Sequence, residues 1–529
     1  MILFRALLIG LFCLSGFSCK NNPEDQKTLP QMRAGQTFQM IETSPVETLD
    51  PIQILFFTDW QMASLMYEGL AAYKEHSADI VPWLAEQWEI SDNGKTIHVR
   101  LRQNIYFQDD PCFSGGKGRR LVAEDVRYSF QRILDHQDAC PNGYLLMNKI
   151  DTMVVADDSK IIIQLIKPQA SFLKILAAPV AYIVPREAVE FYGENFASHP
   201  VGTGPFKLAR WRPFREILAV KNTRYWRKDA DGKPLPHLDG IRIKLESSRD
   251  VALAEFSRGD NMLISGETDD QRRLLHELYR PGQYALLEAP FGLITRFFGF
   301  SLDKETPLAR SAELRSAAAL GLDRGSIQSM ESDSYTMAQS MVPEELLGDS
   351  LAWYPANVEK AIEIARSIAD TNQIIPVTIA SNIESPEVTC LASALDTLGY
   401  QARINIQKAD YFRMIGQDRP DLFRVAFMPC IPIPEEYYSF FYSHSGTDIN
   451  LTGYSNPEFD KLFERCQTEL DEEVRKTLFI NMEYLIKRDV PILLLSHSEP
   501  GLYLYPRYVK GIKIRFHLID FSETVIEEK

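Results

Sequence analysis

Residues 96–101 alternate between apolar and polar side chains, with Ile97, Val99 and Leu101 on one face. A period of two is typical of a half-buried strand, because successive side chains in a strand point to opposite sides of the sheet. An earlier alternating run comes before the Asn93-Gly94 pair, which is a strong signal for a tight turn. The pattern therefore predicts an antiparallel β-hairpin about this turn.

Other stretches show the helical period. The segment that begins at Ala123 carries apolar side chains at helical spacing, namely Val126, Phe130, Ile133 and Leu134. Asn456-Pro457 offers a helix N-cap followed by proline at the first helical position. The helix that follows has one apolar face, made of Phe459, Leu462, Phe463, Cys466 and Leu470. The chain is therefore predicted to contain both strands and helices.

One stretch, residues 421–438, combines a short apolar strand with a loop that contains three prolines. Proline cannot donate a ladder hydrogen bond and restricts the backbone, so the loop is suited to presenting a surface. Arg424 lies within the strand, and its planar guanidinium suits a carboxylate. The alternative interpretation is a buried edge strand whose arginine reaches solvent.

The length and charge of the chain limit its class. At 529 residues it exceeds one hydrophobic core, so two or three domains are expected. The composition, with 45% hydrophobic residues, is that of an ordinary globular protein. The net charge of −15 argues against a nucleic-acid partner, because affinity for nucleic acid depends mainly on Lys and Arg.

The N-terminus is predicted to be an export signal. One basic residue, Arg5, precedes an apolar run that is short for a membrane span, and small residues follow. Gly16-Phe17-Ser18-Cys19 resembles a bacterial lipoprotein box, which implies a signal peptide over 1–19 and a lipid on Cys19 that anchors the protein to a membrane. Plain secretion and an uncleaved anchor stay open as alternatives. Residues 20–35 are predicted to form a flexible polar tether.

The cysteines after Cys19 are not spaced as zinc ligands, and the sequence lacks common catalytic motifs. In an exported protein Cys112 and Cys140 are the natural disulfide pair, because both lie in loop-like contexts beside one helix. Cys466 falls on an apolar helix face and is expected to be a buried thiol. The sequence contains no zinc-type spacing, no HExxH and no GxSxG. We therefore predict a protein that is not an enzyme and that holds no metal or cofactor.

A set of short motifs occurs in the order seen in the family 5 extracellular solute-binding proteins, and the chain resembles that family from about Gln36 to its end. These motifs are Tyr67-Glu68-Gly69-Leu70, Pro82 to Trp88, Phe107-Gln108-Asp109-Asp110, Ala123-Glu124-Asp125-Val126, Val201-Gly202-Thr203-Gly204-Pro205-Phe206, Asn222-Thr223-Arg224-Tyr225-Trp226, Leu238-Asp239-Gly240, Ala319-Leu320-Gly321-Leu322-Asp323-Arg324, Gly453-Tyr454-Ser455-Asn456-Pro457 and Val509-Lys510-Gly511. Members of this family are the oligopeptide- and dipeptide-binding components of ABC importers.

The resemblance implies an α/β fold of two lobes joined by two crossing strands, with an extra domain inserted into the first lobe. Lobe I would comprise 36–56, 181–265 and 496–529, the inserted domain 57–180, and lobe II 266–495. The crossings would fall near residues 262–265 and 492–495, which are both short apolar runs. A ligand would be trapped between the lobes when they close.

The resemblance also implies candidate ligand-binding residues. The stretch from Asp421 aligns with an Asp-x-x-Arg-x-x-Trp-x-x-Asp-Tyr-x-x-Pro pattern, so Arg424 would face a carboxylate or backbone group of the ligand. Phe427 replaces the family tryptophan as an apolar wall beside Met428. Cys430 replaces the aspartate that pairs with the α-ammonium of a bound peptide. The other candidates for the cleft are Asp59, Arg296 and Tyr437.

The replacement at Cys430 changes the expected ligand. An ammonium closed into a dry cleft without its carboxylate loses roughly 3–5 kcal/mol, or about two to three and a half decades of affinity. Another carboxylate can substitute, with Asp59, Glu435 and Glu436 as candidates. Otherwise the ligand lacks an ammonium, or it binds weakly. We expect that a free amino terminus is not specially favoured.

The predicted function is that of a monomeric, membrane-anchored lipoprotein of the periplasm or cell surface, which captures a peptide or peptide-like solute. It would deliver this solute to an ABC permease and ATPase complex. The alternative is a ligand sensor or surface adhesin on the same fold, without a transport partner.

Overall fold

The structure is a computed structural model that describes residues 33–136, 139–266, 269–331, 335–348, 351–368, 375–408, 410–447 and 449–528. The predicted signal peptide with Cys19, and all but the end of the predicted tether, lie outside these residues. In the part that is described, no helix combines the length and the apolar character needed to cross a membrane.

Lobe I is built on a mixed sheet with strand order β1-β10-β9-β8. Strand β1 pairs with β10 in parallel, and the other neighbours are antiparallel. The strands of this lobe and of its C-terminal ribbons are β1 (Thr37–Glu42), β8 (Phe206–Arg212), β9 (Glu216–Lys221), β10 (Gly240–Leu245), β20 (Val509–Lys510), β21 (Lys513–Arg515), β22 (Leu518–Asp520) and β23 (Val525–Ile526). Its helices are α4 (Arg186–Tyr192), α5 (Arg249–Arg258) and also α1 (Phe57–Ala63), which contacts β22 of this lobe although the inserted domain was predicted to begin at residue 57.

The inserted domain is an antiparallel sheet with order β4-β5-β7-β6, covered by one long helix. Its elements are β2 (Ala71–Tyr73), β3 (Ile80–Pro82), β4 (Ala85–Ser91), β5 (Thr96–Leu101), α2 (Ala123–Asp135), β6 (Ile150–Asp157), β7 (Lys160–Leu165) and α3 (Phe172–Ile175). Strands β4 and β5 form the predicted hairpin, and Asn93 and Gly94 adopt positive φ angles in its turn. The predicted hairpin and the predicted helix from Ala123 are confirmed. One continuous apolar core joins this domain to lobe I.

Lobe II contains a six-stranded sheet with order β14-β18-β13-β17-β15-β16. Its strands are β13 (Thr295–Phe300), β14 (Tyr335–Met337), β15 (Ile375–Ser381), β16 (Tyr400–Ile406), β17 (Leu422–Phe427) and β18 (Ile492–Ser498). Its helices are α7 (Pro307–Arg310), α8 (Ala312–Gly321), α9 (Arg324–Glu331), α10 (Glu344–Leu347), α11 (Val358–Ile368), α12 (Pro386–Thr397), α13 (Tyr411–Asp418), α14 (Pro434–Tyr438), α15 (Pro457–Thr468) and α16 (Glu472–Asp489). Two separate apolar cores contain Phe297 on one face of the sheet and Phe298 on the other.

The predicted start of α15 is confirmed in detail. The side-chain oxygen of Asn456 accepts hydrogen bonds from the backbone N–H groups of Glu458 and Phe459, at 2.9 and 3.3 Å. Pro457 follows at the first helical position, where its missing N–H has no partner to lose. Cys466 lies on the buried face of this helix, as predicted.

A three-stranded hinge sheet fixes where the chain crosses between the lobes. It has the order β11-β19-β12, formed by β11 (Ile264–Gly266), β12 (Tyr284–Glu288) and β19 (Leu502–Pro506). Helix α6 (Asp269–Leu278) packs on this sheet, and so does α5 of lobe I. The chain therefore stays with lobe I until about residue 288, crosses into lobe II over 289–294, and returns over 499–501.

This arrangement corrects the two predicted crossings. The run 262–265 leads into a strand of the hinge sheet, and the run 492–495 lies in β18, which pairs on both sides within lobe II. Both runs are apolar because they are buried strands inside one lobe. The predicted lobe II begins at 266, whereas the strand pairing keeps the chain in the hinge sheet as far as Glu288. It was predicted to end at 495, whereas β18 continues to Ser498.

Glu68 connects several of the motifs that carry the family resemblance. Its buried carboxylate accepts hydrogen bonds from the Thr203 hydroxyl at 2.7 Å and the Tyr225 hydroxyl at 2.9 Å, and from the indole N–H groups of Trp83 and Trp226. A Cβ atom at Gly202 would lie 2.2 Å from the backbone carbonyl oxygen of Met66, so this close approach of two backbone segments requires glycine. These motifs therefore hold lobe I and the inserted domain together.

The predicted disulfide is wrong, because Cys112 and Cys140 are both free thiols. The backbone N–H of Cys112 donates to the carboxylate of Asp110, whereas Cys140 lies against Gly143. The two loops that the sequence places beside one helix thus put their thiols in different surroundings. Burial raises the pKa of Cys140 to about 11, which makes this thiol unreactive at neutral pH.

Candidate functional site

The candidate ligand-binding residues of lobe II gather along one edge of its six-stranded sheet. Strands β15, β17 and β18 all end at this edge, and the antiparallel β13 begins there. Ligands of open α/β sheets bind outside the carboxyl ends of the strands. The two crossings leave from the same edge, so it faces lobe I. Arg424 and Phe427 of β17 and Arg296 of β13 are thereby brought to the wall of the cleft.

The central feature of this wall is a buried cluster of two arginines and one glutamate. Arg296 Nη1 donates to Glu387 Oε1 at 2.7 Å, and Arg424 Nε donates to Glu387 Oε2 at 2.5 Å. Glu387 lies in the first turn of α12 and is completely buried. Burial alone would raise the pKa of Glu387, but the guanidiniums of Arg424 and Arg296 lower it below the ordinary value. The cluster is therefore ionised and carries one net positive charge.

The position of Arg424 contradicts the alternative interpretation of an edge strand whose arginine reaches solvent. Strand β17 is an interior strand between β13 and β15, and Arg424 is only 6% exposed. Its Nε is bound to Glu387, and within the described ranges its two Nη groups make no hydrogen bond. Arg424 therefore neither reaches into solvent nor waits uncompensated for a ligand, but it keeps two donors that are not used inside the described protein.

Other polar groups surround this cluster. The ring of Tyr335 lies against the guanidinium of Arg296. The hydroxyls of Ser385, just before α12, and Ser496, which pairs with Arg296 across the sheet, are buried without a hydrogen-bond partner in the part of the chain described. Buried hydroxyls normally find a partner, so these two leave hydrogen-bonding capacity unused within the described residues.

An aromatic group forms the apolar part of the wall. The ring of Phe427 packs edge-on against Tyr437 and Phe440, with centroid distances of 5.3 and 4.6 Å. The hydroxyl of Tyr437 donates to the carbonyl oxygen of Leu293 at 2.7 Å, which ties this aromatic group to the first crossing. Phe427 and the adjacent Met428 are half-buried. Tyr437 is completely buried, so it supports the wall and does not line it.

Cys430 lies in a contact between lobe II and the inserted domain. Its Sγ–H donates to the Asn142 side-chain oxygen at 2.9 Å, and the Asn142 amide donates to the Ile54 carbonyl oxygen at 2.8 Å. The neighbouring Ile431 and Ile433 are buried in the core that lobe I shares with the inserted domain. The proline-rich loop thus crosses the cleft and inserts into the opposite side.

Two glutamates complete this interlobe contact. Glu436 Oε2 accepts a hydrogen bond from the Tyr144 hydroxyl at 2.7 Å and from the Cys430 backbone N–H at 3.3 Å. Glu435 Oε1 accepts one from the Ser171 hydroxyl at 2.9 Å and also contacts Arg475 of α16. We call the six groups that meet here the interlobe clasp: Asn142, Tyr144, Ser171, Cys430, Glu435 and Glu436.

Burial raises the pKa of Glu436 to about 7, against the opposing effects of the Tyr144 hydroxyl and the Lys149 ammonium. Glu435 adds a second negative charge nearby and raises it further. Burial also lowers the pKa of Lys149. Two charged side chains therefore face Glu436: the ammonium of Lys149 and the carboxylate of Glu435.

Asp59 lies apart from the clasp, on helix α1 of lobe I. Its Oδ1 accepts the backbone N–H of Glu47 at 2.9 Å, while Oδ2 is buried without a hydrogen bond within the described ranges. Burial raises the pKa of Asp59 to about 6. Three carboxylates were candidates to replace the one that is missing at position 430. Glu435 and Glu436 lie in the clasp next to Cys430, whereas Asp59 lies elsewhere.

Sequence reasoning missed Glu387, Asn142 and Tyr144. The start of α12 could have been predicted from the sequence. Ser385-Pro386 marks it, and an acidic residue such as Glu387 is common in the first turn of a helix. The pairing of Glu387 with two arginines from different strands could not have been predicted, because it depends on the sheet register. Within the described residues no group of three or more His, Cys, Asp and Glu side chains is arranged to hold a metal ion.

Comparison with known proteins shows the family. The chain matches the family model of bacterial extracellular solute-binding proteins, family 5, over residues 79–448. It belongs to this family, and the prediction of a two-lobed α/β solute-binding protein is confirmed.

Relatives cover nearly the whole chain. It is 25% identical to the peptide transport periplasmic protein SapA of Haemophilus influenzae over 88% of each chain, and 25% identical to heme-binding protein A of the same species over 93% of each. Among solved structures, the periplasmic binding protein DppA of Helicobacter pylori, in complex with the peptide STSA, superposes with a TM-score of 0.78 at 20% identity. That match covers 93% of this chain and 98% of DppA.

The raised pKa of Glu436 predicts that lobe closure depends on pH. Opening the clasp returns this carboxyl to water, where its ordinary pKa is 4.5, so closure takes up a proton between pH 4.5 and about 7. The closed form is then favoured most at and below pH 4.5, and it loses this contribution as pH rises to about 7. Each pKa unit corresponds to about a tenfold change in the closed-to-open ratio.

Fluorescence energy transfer between dyes on the two lobes, measured from pH 5 to 8, checks this expectation. The wild-type closed fraction should fall as pH rises, and Glu436→Gln, which stays neutral, should flatten the profile. Equal slopes for the wild type and Glu436→Gln would contradict it.

Proposed function

We propose that this protein captures a peptide or peptide-like solute between its lobes and delivers it to an ABC permease with its ATPase. The observation that carries the proposal is the cationic Arg296–Glu387–Arg424 cluster at the cleft edge of lobe II, beside an apolar wall. A guanidinium with unused donors suits a carboxylate, and apolar walls with few polar groups are typical of small-solute sites. The peptide named for SapA and the peptide bound to DppA support the same class of ligand.

The test is to identify the solute that the protein carries. Protein purified from its native host without denaturation is heated to release bound molecules, and the supernatant is analysed by mass spectrometry. We expect one or a few peptides or related acids in amounts close to those of the protein. Protein that releases nothing, and whose lobes stay unchanged in small-angle scattering with peptide mixtures, would contradict the proposal.

The clasp supports a ligand without an essential ammonium group. Where the family places an aspartate for the ammonium, Cys430 is bound to Asn142, and the nearby carboxylates already have protein partners: Glu436 has Tyr144, and Glu435 has Ser171 and Arg475. An incoming ammonium would have to replace these partners. Heme, named for one relative, is a ligand that has carboxylates and no α-ammonium.

We therefore expect that a free tripeptide binds less than tenfold more tightly than its N-acetyl form. Calorimetry with Ala-Phe-Ala and N-acetyl-Ala-Phe-Ala measures this ratio directly. In the matched variant Cys430→Asp, which restores the family carboxylate, the free peptide should gain affinity over the acetylated one. A preference of tenfold or more in the wild-type protein would refute the expectation.

We further propose that the mature protein begins at Cys19 and is a monomer held by lipid at a membrane facing the periplasm or the cell surface. The sequence Gly16-Phe17-Ser18-Cys19 and the polar residues that follow it support this. Cys19→Ala should release the protein from the membrane fraction and stop the incorporation of labelled fatty acid. Continued labelling of the variant would exclude Cys19 as the acceptor.

A further inference from the structure

A cavity of about 430 Å³ lies where lobe I meets the hinge sheet. It is bounded by the carboxyl end of β1, the start of α1, helix α5 and the hinge strands β11 and β19. We call it the hinge pocket; its lining includes Met40, Phe56, Phe57, Ala252, Ser265 and Tyr503. Because β1 pairs with β10 in parallel, the pocket occupies in lobe I the same kind of position that the arginine cluster occupies in lobe II.

Apolar surface is exposed at Phe56, which lines the pocket, and at Leu55, which precedes it in the chain. Leu55 is 56% exposed and Phe56 is 50% exposed, and these large apolar residues are adjacent in the chain. Leaving such side chains in water costs about 25 cal/mol for each Å² of apolar surface, and a contiguous exposed patch usually marks a binding site. An apolar group that entered the pocket would cover the ring of Phe56, which forms part of its wall.

The charges of the lining limit what can enter. Two carboxylates, Glu42 and Glu47, and one guanidinium, Arg249, line the hinge pocket. Arg249 contacts the carbonyl oxygen of Ser265, and the backbone of Glu47 binds the buried carboxyl of Asp59. The lining therefore has an excess of negative charge, which repels an acidic group in a poorly hydrated site.

We propose that the hinge pocket binds a bulky apolar side chain, aromatic or branched aliphatic, of the captured solute and excludes acidic side chains. Its volume lies within the range of about 300–1,000 Å³ that is usual for small-molecule sites. The proposal rests on the proposed function, since it gives the solute a second anchoring point opposite the arginine cluster.

The first experiment uses 5-fluoroindole as a probe for the pocket, independently of any peptide. Fluorine NMR titration of the full chain is expected to show saturable binding. Ala252→Trp fills the pocket from α5 and should abolish it, whereas Ala254→Trp, at an exposed position on the same helix, should leave it unchanged. Phe56→Ala changes an exposed side chain, so it should fold even if Ala252→Trp does not, and it should weaken probe binding at least fivefold.

The second experiment compares tripeptides by calorimetry. Ala-Ala-Ala is measured against the three tripeptides that carry one phenylalanine and the three that carry one glutamate. We expect at least a tenfold gain for phenylalanine at one position, no gain for glutamate there, and loss of the phenylalanine gain in Ala252→Trp or Phe56→Ala.

The outcomes separate the pocket from the proposed function. Binding of 5-fluoroindole that is lost in Ala252→Trp, without binding of any tripeptide, would support the pocket and reject peptide capture. Tripeptides that bind without a preference for phenylalanine, together with no saturable 5-fluoroindole binding, would overturn the pocket and leave peptide capture standing. Probe binding that Ala252→Trp and Phe56→Ala do not change would also overturn it.

Discussion

Glu387→Ala is expected to lower the free energy of unfolding of lobe II by about 3–5 kcal/mol, since it leaves two buried guanidiniums without their shared carboxylate. Arg296 and Arg424 are 5% and 6% exposed, so water cannot replace Glu387 without opening the packing between α12 and the sheet. Each arginine makes one hydrogen bond to Glu387, but Arg296 also lies against the ring of Tyr335, so Arg424 depends more on this carboxylate. The shift in urea midpoint, with tyrosine and tryptophan fluorescence as the probe, measures the effect.

Two variants serve as controls for this prediction. Glu387→Gln keeps the shape and one acceptor but removes the charge, so it should cost less than alanine and still more than 1 kcal/mol. Glu384→Ala removes an exposed carboxylate just before α12 and should be within about 0.5 kcal/mol of the wild type. A change below 1 kcal/mol for Glu387→Ala would show that the cluster is not the electrostatic support of this wall.

Arg424→Gln is expected to abolish discrimination between a ligand with a free carboxylate and the same ligand as an amide. Charged hydrogen bonds contribute roughly 1.5–3 kcal/mol, so the wild-type protein should prefer N-acetyl-Ala-Phe-Ala over its C-terminal amide by about 10–150-fold. In Arg424→Gln we expect the affinities for the acid and for the amide, both measured by calorimetry, to agree within threefold.

The acid-to-amide affinity ratio is measured, and not the affinity for the acid alone, because Arg424 also supports Glu387. Loss of support weakens the binding of the acid and the amide alike, whereas loss of a ligand contact weakens only the acid. Arg413→Gln changes an arginine on α13 whose side chain is 67% exposed and pairs with Asp410, and it should leave the ratio unchanged. A wild-type preference that survived in Arg424→Gln would place the carboxylate elsewhere in the cleft.

The contrast between Arg424 and Cys430 shows what could be predicted about the site. The aligned pattern indicated that both residues belong to the cleft, and the structure places one in its wall and the other in the contact that closes it. The chemical state of each was not predictable, because it depends on partners far away in sequence. Glu387 precedes Arg424 by 37 residues, and Asn142 precedes Cys430 by 288.

The crossings were misplaced for a related reason. An apolar run such as 492–495 indicates burial, but it does not show whether the strand pairs within a lobe or spans between lobes. The pairing of β18 with β13 and β14 shows that this run lies within lobe II.

The sequence by itself determined the local elements and the family: the hairpin at Asn93-Gly94, the capped start of α15 and the order of motifs that hold lobe I to the inserted domain. These depend on residues that are close in the chain or on a pattern of many short segments, so they can be read without coordinates. Tertiary structure alone decided that Arg424 is compensated, that Glu436 is buried opposite Tyr144, and that a pocket opens beside Phe56. A charge or a cavity is defined by everything packed around it, and most of those neighbours come from other parts of the chain.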